Sequence, residues 1–182
     1  MKITIIGYSG AGKSTLARQL GEMYNVPVLH LDTVQYKPNW EKRDRPEMEK
    51  IVGDFLDENE SWVMDGTYSG IRFKRRLEGS DIIILLLYNR FICFGRVVKR
   101  YRKFKGSPRP DMTDGCAEKL DSEFARWVLF DGRTAKRRQK FTNIAREYPE
   151  KTVIIKNQRQ LDAFIKNLTQ KATDQTPQDR LY

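Results

Sequence analysis

The sequence predicts an α/β fold in three layers, a five-stranded parallel sheet with helices on both faces. Three observations carry this. Short apolar, β-branched runs alternate with longer segments of helical periodicity, the pattern of consecutive βαβ units. Ile82-Ile83-Ile84-Leu85-Leu86-Leu87 is apolar without interruption, so it belongs in the middle of a sheet covered on both sides. A glycine-rich turn, Gly7 to Ser14, joins the first strand directly to the first helix.

In chain order, strands are expected over 2–6, 26–31, 61–64, 81–88 and 152–156. Ile3-Thr4-Ile5-Ile6 supplies the first, and Trp62-Val63-Met64 the third, which ends in the carboxylate of Asp65. Helices are expected over 13–24, 46–59, 90–104, 116–130, 134–147 and 159–168. Gly106, Pro108, Pro110 and Gly115 break the chain over 105–115, which reads as a hinge or lid tip between two helices.

At 182 residues and 39% apolar content the chain suits one domain with a real core, expected over 1–168. Within it an insert at about 33–60 follows the second strand, and a basic lid covers about 96–138. The tail, 169–182, is polar and without periodicity, so disorder is expected there. The longest apolar run is far short of a membrane span, and the apolar start runs into the glycine turn, not a cleavage site. No membrane association and a cytoplasmic location are expected. Cys93 and Cys116 lack metal-ligand spacing and read as reduced thiols. The net charge is +10, and residues 90 to 140, with 15 Lys/Arg against 6 Asp/Glu, hold +9 of it.

Gly7-Tyr8-Ser9-Gly10-Ala11-Gly12-Lys13-Ser14 fits the phosphate-binding pattern G-x-x-x-x-G-K-[ST] and stands between a strand and a helix, where that pattern has to stand. Glycines let consecutive backbone N–H groups turn inward, and the following helix points its positive end at the same spot. Gly7, Ser9, Gly10, Ala11, Gly12, Lys13, Ser14 and Thr15 are therefore the expected ATP-binding residues, within a P-loop NTPase fold. Lys13 is expected to reach the β- and γ-phosphates, and the Ser14 hydroxyl to ligate Mg²⁺.

Ligands of open parallel sheets sit at the carboxyl ends of the strands. A carboxylate beyond the third strand is the natural second holder of Mg²⁺, through water, which selects Asp65. Strand alternation puts His30 and Asp32 on one side, opposite Leu29 and Leu31. Asp32 is expected to accept a proton from an acceptor hydroxyl or to orient the acceptor and a metal-bound water. His30 reads as a hydrogen-bonded structural residue.

These residues resemble a family. The glycine loop, His30-Leu31-Asp32, Pro38-Asn39-Trp40 with Arg43, and Trp62 through Ser69 are similar to adenylate-kinase-related proteins known as DNA topology modulation proteins, over about residues 1 to 168. More broadly the chain resembles the nucleoside and nucleotide kinases, and that likeness implies strand order 2-3-1-4-5. It further implies that Met64-Asp65-Gly66 matches the Leu-Asp-Gly segment of adenylate kinases. The Phe-Pro-Arg that follows there is replaced by Thr67-Tyr68-Ser69, which removes an arginine used on the acceptor phosphate. The resemblance also implies a mobile lid on the helix carrying Arg96 and Arg100, and an adenine bordered by Asn157-Gln158-Arg159.

From the residues alone, Arg96, Lys99, Arg100 and Lys103 share one helix face, and Arg133, Arg137 and Arg138 open the returning helix. Two basic faces about a hinge suit closure over a triphosphate, with Arg96, Arg100 and Arg137 stabilising transition-state charge. In the insert, Trp40 is expected either to stack on a base or to pack onto the protein, and Arg43 to bind an acceptor phosphate or carboxylate. The pattern predicts an ATP- and Mg²⁺-dependent kinase for a nucleoside, nucleotide or similar small acceptor. Two alternatives stand beside it: a small-metabolite kinase of the shikimate or gluconate type, and an ATP-binding nucleic-acid-associated protein. For the last, the basic segment supplies weak non-specific phosphate affinity.

Overall fold

Five strands run parallel in the order β2-β3-β1-β4-β5 in the computed structural model, which describes residues 1–174. They are β1 (Lys2–Gly7), β2 (Val28–His30), β3 (Trp62–Asp65), β4 (Ile82–Leu86) and β5 (Thr152–Ile155). The order implied by the kinase resemblance is the one observed. β4 lies between β1 and β5, paired Ile5↔Ile84 on one edge and Ile84↔Val153 on the other, and its run is covered from both faces, Ile84 and Leu86 by one core and Ile83 and Leu85 by the other.

The period of two sorts the strand residues onto two cores. Ile3, Ile5, Val63, Ile84 and Leu86 face α1 (Lys13–Tyr24), α5 (Arg90–Phe104), α6 (Ser122–Leu129) and α8 (Gln158–Asp174). Ile6, Ile83 and Leu85 face Leu77 of α4 (Phe73–Gly79) and Phe141 and Ile144 of α7 (Ala135–Glu147). At the β2 end, Trp62 and Met64 pack with Leu31 and Val34 of α2 (Leu31–Gln35) and Val52 of α3 (Arg45–Glu58). The chain leaves β1 with neighbours on either side of it, so a crevice opens at the carboxyl ends of β1, β3 and β4.

Several boundaries differ from the sequence expectation. β2 is three residues long, because Pro27 precedes it and the chain turns into α2 at Leu31. Asp32 therefore sits on a helix, and strand alternation does not place it beside His30. α2 and α4 are five and seven residues long, too short for a helical period to declare itself. The expected helix over 116–130 begins only at Ser122, where the Asp121 side chain accepts from Phe124 N–H. Residues before it belong to the lid loop, tied by Glu118 N–H to Ser107 C=O at 3.0 Å. α8 runs through Asp174, six residues into the tail expected to be disordered, and the rest of that tail lies outside the described residues.

α1 crosses β2 at Gly21, where a Cβ would stand 2.2 Å from Val28 Cγ2. A helix-interior glycine normally costs about 1 kcal/mol relative to alanine. Here the sign reverses: Gly21→Ala is expected to destabilise the fold by about 1–3 kcal/mol in urea unfolding, because the stiff valine cannot yield without moving β2.

Candidate functional site

The glycine loop forms the floor of a cavity of about 2800 Å³ at the carboxyl edge of the sheet. Gly10 has φ +76°, and a Cβ there would stand 2.5 Å from the Cys93 carbonyl oxygen, so no other residue fits. Gly12, at φ +96°, starts α1 with no side-chain cap, which leaves the first N–H groups of that helix pointing at the cavity. Arg96 braces the loop from behind: it donates to the Ala11 carbonyl at 2.8 Å and to Gln158 Oε1 at 2.7 Å, with its guanidinium 4.3 Å from the centre of the Tyr88 ring. Trp127 of α6 donates to Ser9 Oγ at 3.1 Å, and the Arg137 guanidinium stacks 4.3 Å above its ring. Thr15 lies exposed at the helix start.

Asp65 ends β3 almost wholly buried and links three elements. Oδ2 accepts from the Ser14 hydroxyl at 2.9 Å, and Oδ1 pairs with His30 Nδ1 at 2.5 Å. Burial pulls the His30 pKa down, but the hydrogen bond and charge of Asp65 outweigh it and hold the imidazole above its ordinary value. Among the described residues no cluster of three or more His, Cys, Asp or Glu is placed to hold a metal. Ser14 and Asp65 instead offer a hydroxyl and a carboxylate side by side, hard oxygens of the kind Mg²⁺ takes when phosphate and water complete its shell.

Asp32 faces the same space from α2, with both carboxylate oxygens engaged. Oδ1 accepts from Tyr68 Oη at 2.6 Å and Oδ2 from Arg109 at 2.7 Å. Burial alone raises the pKa of Asp32; Arg109, Tyr68 and Lys13 overcome it and hold the carboxyl below its usual range. Lys13 folds over the loop to the Tyr8 carbonyl at 3.2 Å, and burial lowers its pKa against the pull of Asp32 and Asp65. Behind Tyr68, the fully buried Arg76 donates to the carbonyls of Gly66 and Tyr68, at 2.8 and 3.1 Å. The loop that presents Tyr68 is thereby rigid.

The lid rests on the insert. Thr113 Oγ1 donates to the Tyr36 carbonyl at 2.7 Å, and the Trp40 indole N–H to Ala117 C=O at 3.1 Å. Trp40 packs edge-on to Tyr36 with ring centres 5.1 Å apart and also lines the cavity. Glu118, buried, binds Arg100 at 2.6 Å and lies 3.8 Å from Arg109, so the lid carries its own counter-charge.

Other expectations need correction. Arg43 turns away from the cavity, donating to the Val34 carbonyl at 2.9 Å and pairing with Glu47, while Lys42 and Arg45 line the cleft instead. Asn157 caps α8 through its Oδ1 and Gln160 N–H, and neither it nor Arg159 lines the cavity; Gln158 does. The register of the first turn of α8 decides this, and sequence order alone does not reveal it. Arg96, Lys99, Arg100, Lys103 and Arg137 all line the cleft, whereas Arg133 is buried beneath it, bound to the Val128 and Tyr88 carbonyls. Tyr68, Arg109 and Glu118 were not anticipated. Only Arg109 carried a signal, an arginine fixed between Pro108 and Pro110 at the lid tip.

No protein-family profile matches this chain, and no curated protein does. Solved structures do. The shikimate kinase from Acinetobacter baumannii in complex with shikimate is 19% identical, with a TM-score of 0.56, and the match covers 97% of this chain and 95% of that one. Deoxyadenosine kinase from M. mycoides is 14% identical, with a TM-score of 0.53 over 93% of this chain and 100% of that one. At such identities the likeness establishes the fold, an α/β P-loop fold shared with kinases.

At the opposite side of the loop, Lys140 of α7 is half-buried, 3.4 Å from the Thr67 carbonyl oxygen and 4.2 Å from the centre of the Phe73 ring. Burial, with Arg76 and Arg137 adding to it, pulls its pKa down to about 8. Between that value and the model-peptide 10.5 the unfolded chain binds more protons, so stability from this group rises with pH through that window and the charged amine costs most below it. Lys140→Met is therefore expected to raise Tm by about 2–4 °C at pH 7. The gain should shrink toward zero in melts recorded near the upper end of the window.

Proposed function

We propose that the protein is an ATP- and Mg²⁺-dependent phosphotransferase that passes the γ-phosphoryl group in line to a nucleoside, nucleotide or similar small acceptor. The observation that carries this reading is a convergence on one cleft. An uncapped helix N-terminus, Lys13, Ser14 backed by the buried Asp65, and the doubly held Asp32 all meet there. The sequence resemblance and the fold likeness to two kinases support it. Likeness to a shikimate kinase also supports the second reading, a kinase for a small hydroxylated metabolite.

In this reading the glycine-loop N–H groups and Lys13 hold the phosphates, and Arg96 keeps the loop shaped for them. Ser14, and Asp65 through water, would hold Mg²⁺, which would supply positive charge to offset that of the phosphates. Arg100 and Arg137 line the cleft from α5 and α7, where their charge would stabilise that of the transferred group. Asp32, ionised, accepts a hydrogen bond from the acceptor hydroxyl and takes its proton as the O–P bond forms. Tyr68 and Arg109 fix its orientation.

Screening nucleosides, nucleotides and hydroxylated metabolites for ATP consumption, with product identified by mass, tests the reading directly. Lys13→Ala is expected to abolish turnover and weaken MgATP binding while leaving the melting curve in place; normal ATP consumption by that variant would sink the proposal. Asp32→Asn is expected to lower kcat by about 10² to 10⁴ with a hydroxyl acceptor, the usual worth of a general base. Because Asp32 is held below the ordinary carboxylate range, it should contribute no acidic limb to kcat/KM above about pH 5. A limb in that region lost in Asp32→Asn would mean the carboxyl is not held ionised.

A further inference from the structure

Past Thr67 the cleft continues into the space between α4 and α7, a stretch that the reaction described above leaves without a role. Phe73, Lys136, Lys140 and Asn143 line it with Thr67. Lys136, Arg137 and Lys140 stand at i, i+1 and i+4 on α7, and among the described residues none of the three forms an ion pair with a carboxylate. Arg76, fully buried with its guanidinium 5.7 Å from the Phe73 ring, donates only to carbonyls, and its Nε has no hydrogen-bond partner.

An ammonium drawn half out of water beside like charges is costly unless something of opposite sign meets it. The protein offers Lys140 one long bond to a carbonyl and the face of one ring, which falls short of a counter-ion. Glu147 lines the same cavity but stands two turns further along α7 and forms no ion pair with Lys140, so beside Lys140 itself an anion is what is lacking. Its position is also specific: the Thr67 hydroxyl donates to the Gly7 carbonyl at 2.9 Å and accepts from Gly7 N–H at 3.2 Å. A group held by Lys140 therefore lies beside the first glycine of the phosphate loop.

We infer that Lys140, with Lys136, forms an oxyanion subsite at Thr67 that holds a phosphate or carboxylate group carried by the phosphoryl acceptor. The inference takes its occupant from the phosphotransferase reading. It narrows the acceptor to hydroxylated compounds bearing a fixed negative charge, and it disfavours neutral nucleosides and sugars.

The test is acetylation of lysines in the full chain at pH 8, read peptide by peptide by mass, with Mg²⁺ and a non-hydrolysable ATP analogue present. Inorganic phosphate and acetate serve as probes. Either anion at ten times its Kd is expected to slow Lys140 acetylation about tenfold, since only the unliganded amine reacts, while Lys50 on α3 is unaffected. Slowing by phosphate alone assigns the occupant as a phosphate, and slowing by acetate alone as a carboxylate. A Lys140 rate indifferent to both anions overturns the subsite. Lys13 in the same digest reports separately: if the nucleotide fails to protect it, the phosphotransferase reading falls whatever Lys140 does.

Discussion

The site depends above all on how Asp65 is held. Parallel pairing puts it opposite His30 on β2 and Ile5 on β1, so its carboxylate is carried to the carboxyl edge and shut away from water. A carboxylate in that position must be fully hydrogen-bonded, and its two oxygens take His30 and Ser14. The second of these bonds fixes the first turn of α1 against β3, which sets where the helix N-terminus points. The geometry of the phosphate loop is thus tied to the register of the sheet rather than to the loop sequence alone.

From Asp65 the order passes outward through the loop that follows. Gly66 and Tyr68 give their carbonyls to Arg76, Tyr68 gives its hydroxyl to Asp32, and Asp32 receives Arg109 from the lid. Arg109 lies in turn near Asp111 and Glu118, at 3.4 and 3.8 Å. Burial works against the charge on Arg109, but Asp32, Asp111 and Glu118 together hold its pKa above the ordinary value. The loop that carries Arg109 is therefore coupled electrostatically to the Asp32 carboxylate in the cleft.

The strands, the interior place of β4 and the glycine loop were legible because each has a local signature: apolar periodicity, an uninterrupted run, a spaced motif; the strand order has none and came only from the resemblance to nucleoside and nucleotide kinases. That Asp65 would stand near the glycine loop was legible for a related reason, since strand ends are where such folds put their polar groups, but its hydrogen bond to Ser14 was not foreseen. What escaped was set by tertiary contact. α2 and α4 are too short to show a period, and Arg43 is held away from the cavity by Glu47 and by the Val34 carbonyl, which sequence cannot place next to it. Lys140 sat among several basic residues on one helix, and nothing in their spacing tells which one the fold will half-bury against Thr67.

The positive charge concentrated over residues 90 to 140 bears on the rival nucleic-acid reading. Binding to a polynucleotide backbone draws on cations free at an outer surface, where each displaces a condensed counter-ion. Here Arg96 is committed to the Ala11 carbonyl, Arg100 to Glu118, Arg109 to Asp32, and Arg133 to two buried carbonyls. Arg137 is laid on Trp127 at the cleft wall. Part of the positive charge therefore points into the cavity or beneath it, while Arg102, Lys105, Arg126 and Arg138 stay exposed outside it. A small polyanion that enters the cleft meets this field at short range and low dielectric, where it acts most strongly, whereas a duplex outside meets mainly what remains on the rim. The charge of the lid is better matched to a triphosphate and an anionic acceptor than to nucleic acid.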